Sequence, residues 1–151
     1  MKRLLALVLT LGILAACLVG CGDTNERLSR KTVREIQANW LERMIYHIPS
    51  PLEWHDEMYL GTYNGYIVFV WNRGDMDVPY EFTLKGETFR ADFDFIIYLF
   101  KDREFIDLES NIYLPEELPG QVEQRISDED VRAIAERFRA YVQWYESQER
   151  E

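Results

Sequence analysis

The stretch MYLGTYNGYIVFVW, residues 58–71, decides the fold. Two runs rich in aromatic and β-branched residues flank Asn64-Gly65. A two-residue type I′ turn needs positive φ at both positions, which Asn and Gly tolerate best. The spacing therefore predicts an antiparallel hairpin with strands over 58–63 and 66–71, and Gly61, Asn64 and Gly65 as its structural positions. The run YIVFVW does not alternate between polar and apolar residues. A strand apolar on both pleat faces has to be covered on both sides, so 66–71 is expected in the middle of a sheet.

Downstream, NRGDMDVP (72–79) carries the residues of a second turn. YEFTL (80–84) and ETFRA (87–91) read as strands joined or bulged at Lys85-Gly86, and FIIYLF (95–100) is a second doubly apolar run. Residues 101–103 turn the chain into EFIDL (104–108), giving about five strands in antiparallel succession. NIYLPEELPG (111–120) is expected as a loop with one helical turn. Ser127 and Asp130 make an S-x-x-D start signal, and Val131, Ile134, Ala135, Phe138, Val142 and Tyr145 mark one face of a helix.

Upstream, PSPLEWHD (49–56) reads as a loop. Before it, Val33, Ile36, Trp40, Met44 and Ile48 recur at helical spacing, with Leu41 and Ile45 widening the stripe and Pro49 ending it. Two caps compete for the start, Asp23 with Glu26 and Thr32 with Glu35, so the helix begins near Glu26 or Thr32 and runs to Tyr46. The expected class is α+β: an N-terminal helix, an antiparallel meander of about five strands, and a C-terminal helix packed on the sheet.

The first twenty residues belong to none of this. Lys2 and Arg3 precede an uncharged apolar run, and small residues follow, the layout of a secretory signal. No Phe, Tyr or Trp occurs before Trp40, so the core material lies downstream. LVGC, ending at Cys21, resembles the lipobox of bacterial lipoproteins, as does LAAC, ending at Cys17. The resemblance implies cleavage before the cysteine and a diacylglyceryl group on its thiol. Cys21 is preferred, because polar GDTNERLSRK follows it, whereas LVGCG follows Cys17. Residues 1–20 are then a signal peptide, 21–26 a lipidated tether and 27–151 a single α+β domain.

Cleavage there removes Lys2 and Arg3 and takes the formal charge from −10 to −12. An acidic body argues against non-specific nucleic-acid binding, which relies on clustered Lys and Arg. One basic cluster stands out, Arg27, Arg30, Lys31 and Arg34, just after the tether. It is read either as a membrane-surface contact or as a solvated helix face. The expected partners are the membrane through the lipid and an unidentified protein or envelope component.

GTYNG with YIVFVW, then FKDREFIDL and ISDEDVRAIAERF, resembles a group of small uncharacterised bacterial domains with a Tyr-Gly-Thr-Tyr-Asn-Gly hairpin. The likeness covers residues 59–138 and implies the fold but no activity. Tyr59-Leu60 stands where that group has a double Tyr, and Arg103 where a turn Gly is common.

Chemistry is sparsely signalled. His47 is expected at a helix C-terminus, where partial positive charge is favoured. His55 sits in EWHDE without H-E-x-x-H spacing. DMD (Asp75, Asp77) and DFD (Asp92, Asp94) lack a calcium-loop pattern and read as solvated turns. No G-x-S-x-G is present. No catalytic residue, metal or cofactor is expected. The aromatic surplus either fills the core or forms a recognition surface. A non-catalytic binding module is the leading expectation. An envelope carbohydrate enzyme using a carboxylate pair, or an inhibitor with an acidic face, are the alternatives.

Overall fold

The computed structural model describes residues 27–43, 53–109 and 125–148. The signal segment, Cys21 and its tether, Met44, Ile45, His47, Ile48 and the 111–120 loop lie outside the described residues. The elements are α1 (Arg30–Arg43), a single 3-10 turn (Asp56–Met58), β1 (Tyr59–Tyr63), β2 (Tyr66–Leu84), β3 (Glu87–Lys101), β4 (Glu104–Asp107) and α2 (Asp128–Gln148). The strands form one antiparallel sheet in the order β1-β2-β3-β4, with one helix before it and one packed on it after, an α+β architecture.

The described strands number four where the sequence suggests about five. Residues 72–79 do not reverse the chain. The β2–β3 ladder shifts register between Asn72 and Gly74 and again between Asp75 and Tyr80, then resumes with Tyr80 opposite Ala91 and Phe82 opposite Phe89. Turn-forming residues therefore interrupt the ladder as bulges, and the 87–91 and 95–100 runs fuse into β3. Bulges add local bend and twist to a strand.

Each sheet face has its own helix. Val68 and Val70 of β2 and Phe93, Phe95, Ile97 and Leu99 of β3 pack with Val131, Ile134 and Phe138 of α2. Phe69, Tyr98, Phe100 and Phe105 on the opposite face pack with Ile36 and Trp40 of α1. The doubly apolar runs lie where both helices cover the sheet. Residues 87–94 alternate instead, Phe89, Ala91 and Phe93 buried and Thr88, Arg90 and Asp92 exposed, because only α2 covers that part. Leu41, expected in the buried stripe of α1, is 38% exposed.

The β2–β3 arm curls around α2. At the first hairpin tip, Asn64 Nδ2 donates to the Arg125 carbonyl at 2.9 Å; at the second, Lys85 Nζ donates to the Ile126 carbonyl at 2.9 Å. The two tips stand at opposite ends of β2. A straight strand of that length spans about 60 Å. Bonds to adjacent carbonyls hold the tips within about 20 Å of each other by covalent reach. The strand is therefore folded over at its bulges, and both tips grip the entry to α2.

Local signals explain the rest. Asn64 (φ 49) and Gly65 (φ 78) form the expected turn. Gly61 has φ +121, and a Cβ there would stand 2.7 Å from the Tyr63 ring, whose hydroxyl donates to the Leu60 carbonyl at 2.9 Å. Beyond the tip, Tyr66 receives Lys101 Nζ 4.9 Å and the Arg125 guanidinium 5.6 Å from its ring centroid. Ser127 and Asp130 cap α2 reciprocally, Asp130 N–H to Ser127 Oγ at 3.1 Å and Ser127 N–H to Asp130 Oδ2 at 3.0 Å. At α1 Thr32 is not the cap, and the other expected cap, Asp23 with Glu26, lies outside the described residues. Ser29 is the cap, its Oγ accepting from the Thr32 N–H at 3.1 Å, which places Thr32 inside the first turn. Arg103 takes φ 69 without being Gly. Its side chain accounts for the departure: Nε donates to Asn39 Oδ1 at 2.8 Å and the guanidinium pairs with Glu42 at 2.9 Å, tying the β3–β4 turn to α1.

Candidate interaction surface

The double bulge of β2 is the most distinctive surface feature among the described residues. Asp75 lies opposite Phe93 and Tyr80 opposite Ala91, so Met76, Asp77, Val78 and Pro79 together face the single residue Asp92. The chain enters this segment through Gly74 (φ +128), whose N–H is held by Asn72 Oδ1 at 2.8 Å. Arg73 pairs with Asp94 at 2.6 Å on the strand's outer face. Asp75 points toward α2 and accepts from the Tyr145 hydroxyl at 3.3 Å.

Asp75 meets an aromatic cluster on the α2 side of the sheet. Phe93 and Tyr145 have centroids 4.7 Å apart, Tyr141 and Trp144 5.7 Å, and His55 and Trp144 5.3 Å. Burial, with the neighbouring Tyr145, pushes the Tyr141 phenol up to about 12. In the bulge itself Met76 is 42% and Val78 68% exposed, and Asp77 and the opposing Asp92 are exposed carboxylates. The bulge thus combines two exposed apolar side chains with exposed carboxylates.

DMD and DFD, read from the sequence as two separate turns, thus meet across one bulge. Among the described residues no group of three or more His, Cys, Asp or Glu is placed to hold a metal ion. In EWHDE, His55 packs at a tilt against Trp144 and Asp56 pairs with Arg27 at 3.2 Å. Arg27 is thereby paired, while Arg30, Lys31 and Arg34 stand exposed on α1. Gly61, Asn64 and Gly65 hold the hairpin and its grip on α2. Every described Phe, Tyr and Trp is buried or half-buried, so the aromatic surplus fills the core.

One further polar contact escaped the sequence reading. The Tyr80 hydroxyl donates to the Glu109 carboxylate, and the Glu109 N–H is held by Asp107 Oδ1 at 2.9 Å. Burial and this bond hold the Tyr80 phenol well above its ordinary value. The pair fastens the arm to the chain leaving β4. Residues 29 positions apart in sequence give no spacing signal for such a contact. Met76 and Val78 were equally hidden, because DMDV reads as polar turn chemistry.

No match is found for the chain among protein-family models, curated proteins or solved structures. No helix among the described residues is long and apolar enough to cross a membrane.

Proposed function

We propose that the chain is a lipoprotein anchored through Cys21 on the outer side of a bacterial membrane and that it works as a non-catalytic binding module. Its contact surface is the β2 bulge, and its partner is an envelope protein with a basic surface. The observation that carries this reading is the exposure of Met76 and Val78 in one bulge with the exposed carboxylates of Asp77 and the opposing Asp92. Apolar side chains presented this way gain from burial against a partner. Asn72 holds the Gly74 N–H and Tyr145 holds the Asp75 carboxylate beforehand, which lowers the ordering cost of association. The exposed carboxylates select Lys and Arg on the other side and speed encounter.

The test is capture from envelope membranes by the intact lipoprotein and by the double variant Met76→Ser, Val78→Ser. The variant should keep its melting temperature and lose a partner that the wild type retains. That retention should weaken with salt and with Asp77→Lys. Equal capture by both proteins, insensitive to salt, overturns the reading. Hydrolysis of an envelope glycan by the purified protein would favour the enzyme instead.

A further inference from the structure

The outer side of α1 is a second surface with a definite charge. At 100° per residue, Arg30, Arg34 and Lys31 fall within an arc of about 100° on the side of the helix turned away from Ile36 and Trp40, which pack on the sheet. Ala38 and Leu41, both exposed, fall in the same arc. Among the described residues, Glu42 beside this arc pairs with Arg103, and Asp56 pairs with Arg27. Glu35 stands at the edge of the arc. Asp75, by contrast, lies on the α2 side of the sheet.

Resting on the anchored reading above, we infer that this face of α1 lies on the anionic surface of the membrane. Nine residues lead from Cys21 to Arg30, so the start of α1 stays within about 32 Å of a lipidated Cys21 whatever path the chain takes. Tethering turns a weak electrostatic contact into an intramolecular one with a high effective concentration. Three cations suit that contact, since each Lys or Arg near an anionic leaflet strengthens binding about fivefold. Leu41 sits where it can enter the interfacial layer. The layers are then ordered membrane, α1, sheet, α2, with Asp75 and its side of the bulge turned outward. The acidic body is repelled from the same leaflet, which favours this single orientation over others.

The test places an environment-sensitive fluorophore at Ala38→Cys on α1 or at Ala140→Cys on the exposed side of α2. The full lipoprotein, whose own Cys21 is acylated, is reconstituted in vesicles of phosphatidylcholine with or without phosphatidylglycerol. The label at position 38 should report an interfacial environment only in the anionic vesicles, and the label at 140 in neither. Arg30→Glu, Lys31→Glu and Arg34→Glu together should abolish the difference, weakening the contact roughly a hundredfold or more at low salt. An unchanged signal at 38 in both lipids, with protein still bound to the vesicles, overturns the α1 contact and leaves the anchor standing. Protein that fails to associate with either vesicle overturns both.

Discussion

Replacing Gly61 by Ala is the sharpest test of the hairpin. The residue has φ +121, a region an L side chain rarely adopts. Holding a non-glycine residue in sparsely populated backbone space costs about 1–3 kcal/mol. The new Cβ would also stand 2.7 Å from the Tyr63 ring, closer than such atoms approach. The ring can swing away only by giving up its hydroxyl bond to the Leu60 carbonyl, at 2.9 Å, worth about 1 kcal/mol. The sum is about 2–4 kcal/mol, or roughly 10 °C in melting temperature for a domain of this size. The assay is urea and thermal unfolding of Gly61→Ala, Tyr63→Ala and the double variant. Relief of the clash should appear as a coupling of about 1 kcal/mol, the Ala substitution costing less once Tyr63 is gone. A Gly61→Ala protein within about 0.5 kcal/mol of wild type would refute the backbone argument. An identical cost in both backgrounds would refute the ring contact.

Asn64→Val should destabilise by about 1–3 kcal/mol, because a β-branched residue is forced to φ 49 and the bond to the Arg125 carbonyl is lost; a denaturation midpoint like wild type's would contradict this. Stability should fall between pH 10 and 12. Tyr98 and Tyr141, 6% and 4% exposed, are pushed up to about 12 chiefly by burial, Tyr98 also by Asp107 and Tyr141 by Tyr145. A raised folded pKa gives stability that is complete below the unfolded value near 10 and lost as pH climbs to the folded one, about 2–3 kcal/mol per tyrosine. Unfolding midpoints followed with tyrosinate absorbance read the effect, and a flat profile over that window would rule it out. Arg103→Gly should relieve the φ 69 strain yet free α1, seen as faster amide exchange in 30–43 with the sheet still protected. Cys21→Ala should block maturation or release the protein from membranes; unchanged retention would contradict the lipobox reading.

Much of the fold was legible because local chemistry and burial agree. Asn64-Gly65 sets a turn type by φ alone, and Ser127 with Asp130 caps α2 by side chains three residues apart. The doubly apolar runs foretold two covered faces, and the structure supplies a helix for each. What stayed hidden depends on distant partners. Ser29 carries no such signal, because its partner is the Thr32 N–H and no carboxylate completes a box. Leu41 matches the helical period but turns outward, since α1 meets the sheet over a narrower stripe than periodicity implies. Arg103 at positive φ makes sense only once Asn39 and Glu42 stand beside it.

The bulge is the instructive failure, and its excess length argues for a role beyond bending. Asn, Gly, Asp and Pro between 72 and 79 are the residues of a chain reversal, and local rules read them so. The reversal is overruled because Tyr80, Phe82 and Leu84 pack against the same core as α2, which the arm reaches only if β2 continues. A bend of that kind needs one extra residue in the strand. Here the first shift, at Asn72 and Gly74, already provides it, and the second inserts four residues opposite one. Two of those four are Met76 and Val78, exposed where Ser or Asn would serve the geometry and the solubility equally well. Replacing 76–78 with Gly and Asn should therefore leave the unfolding midpoint within about 0.5 kcal/mol of wild type, the ordinary range for surface changes, while partner capture is lost. A large loss of stability would show instead that the segment is part of the scaffold.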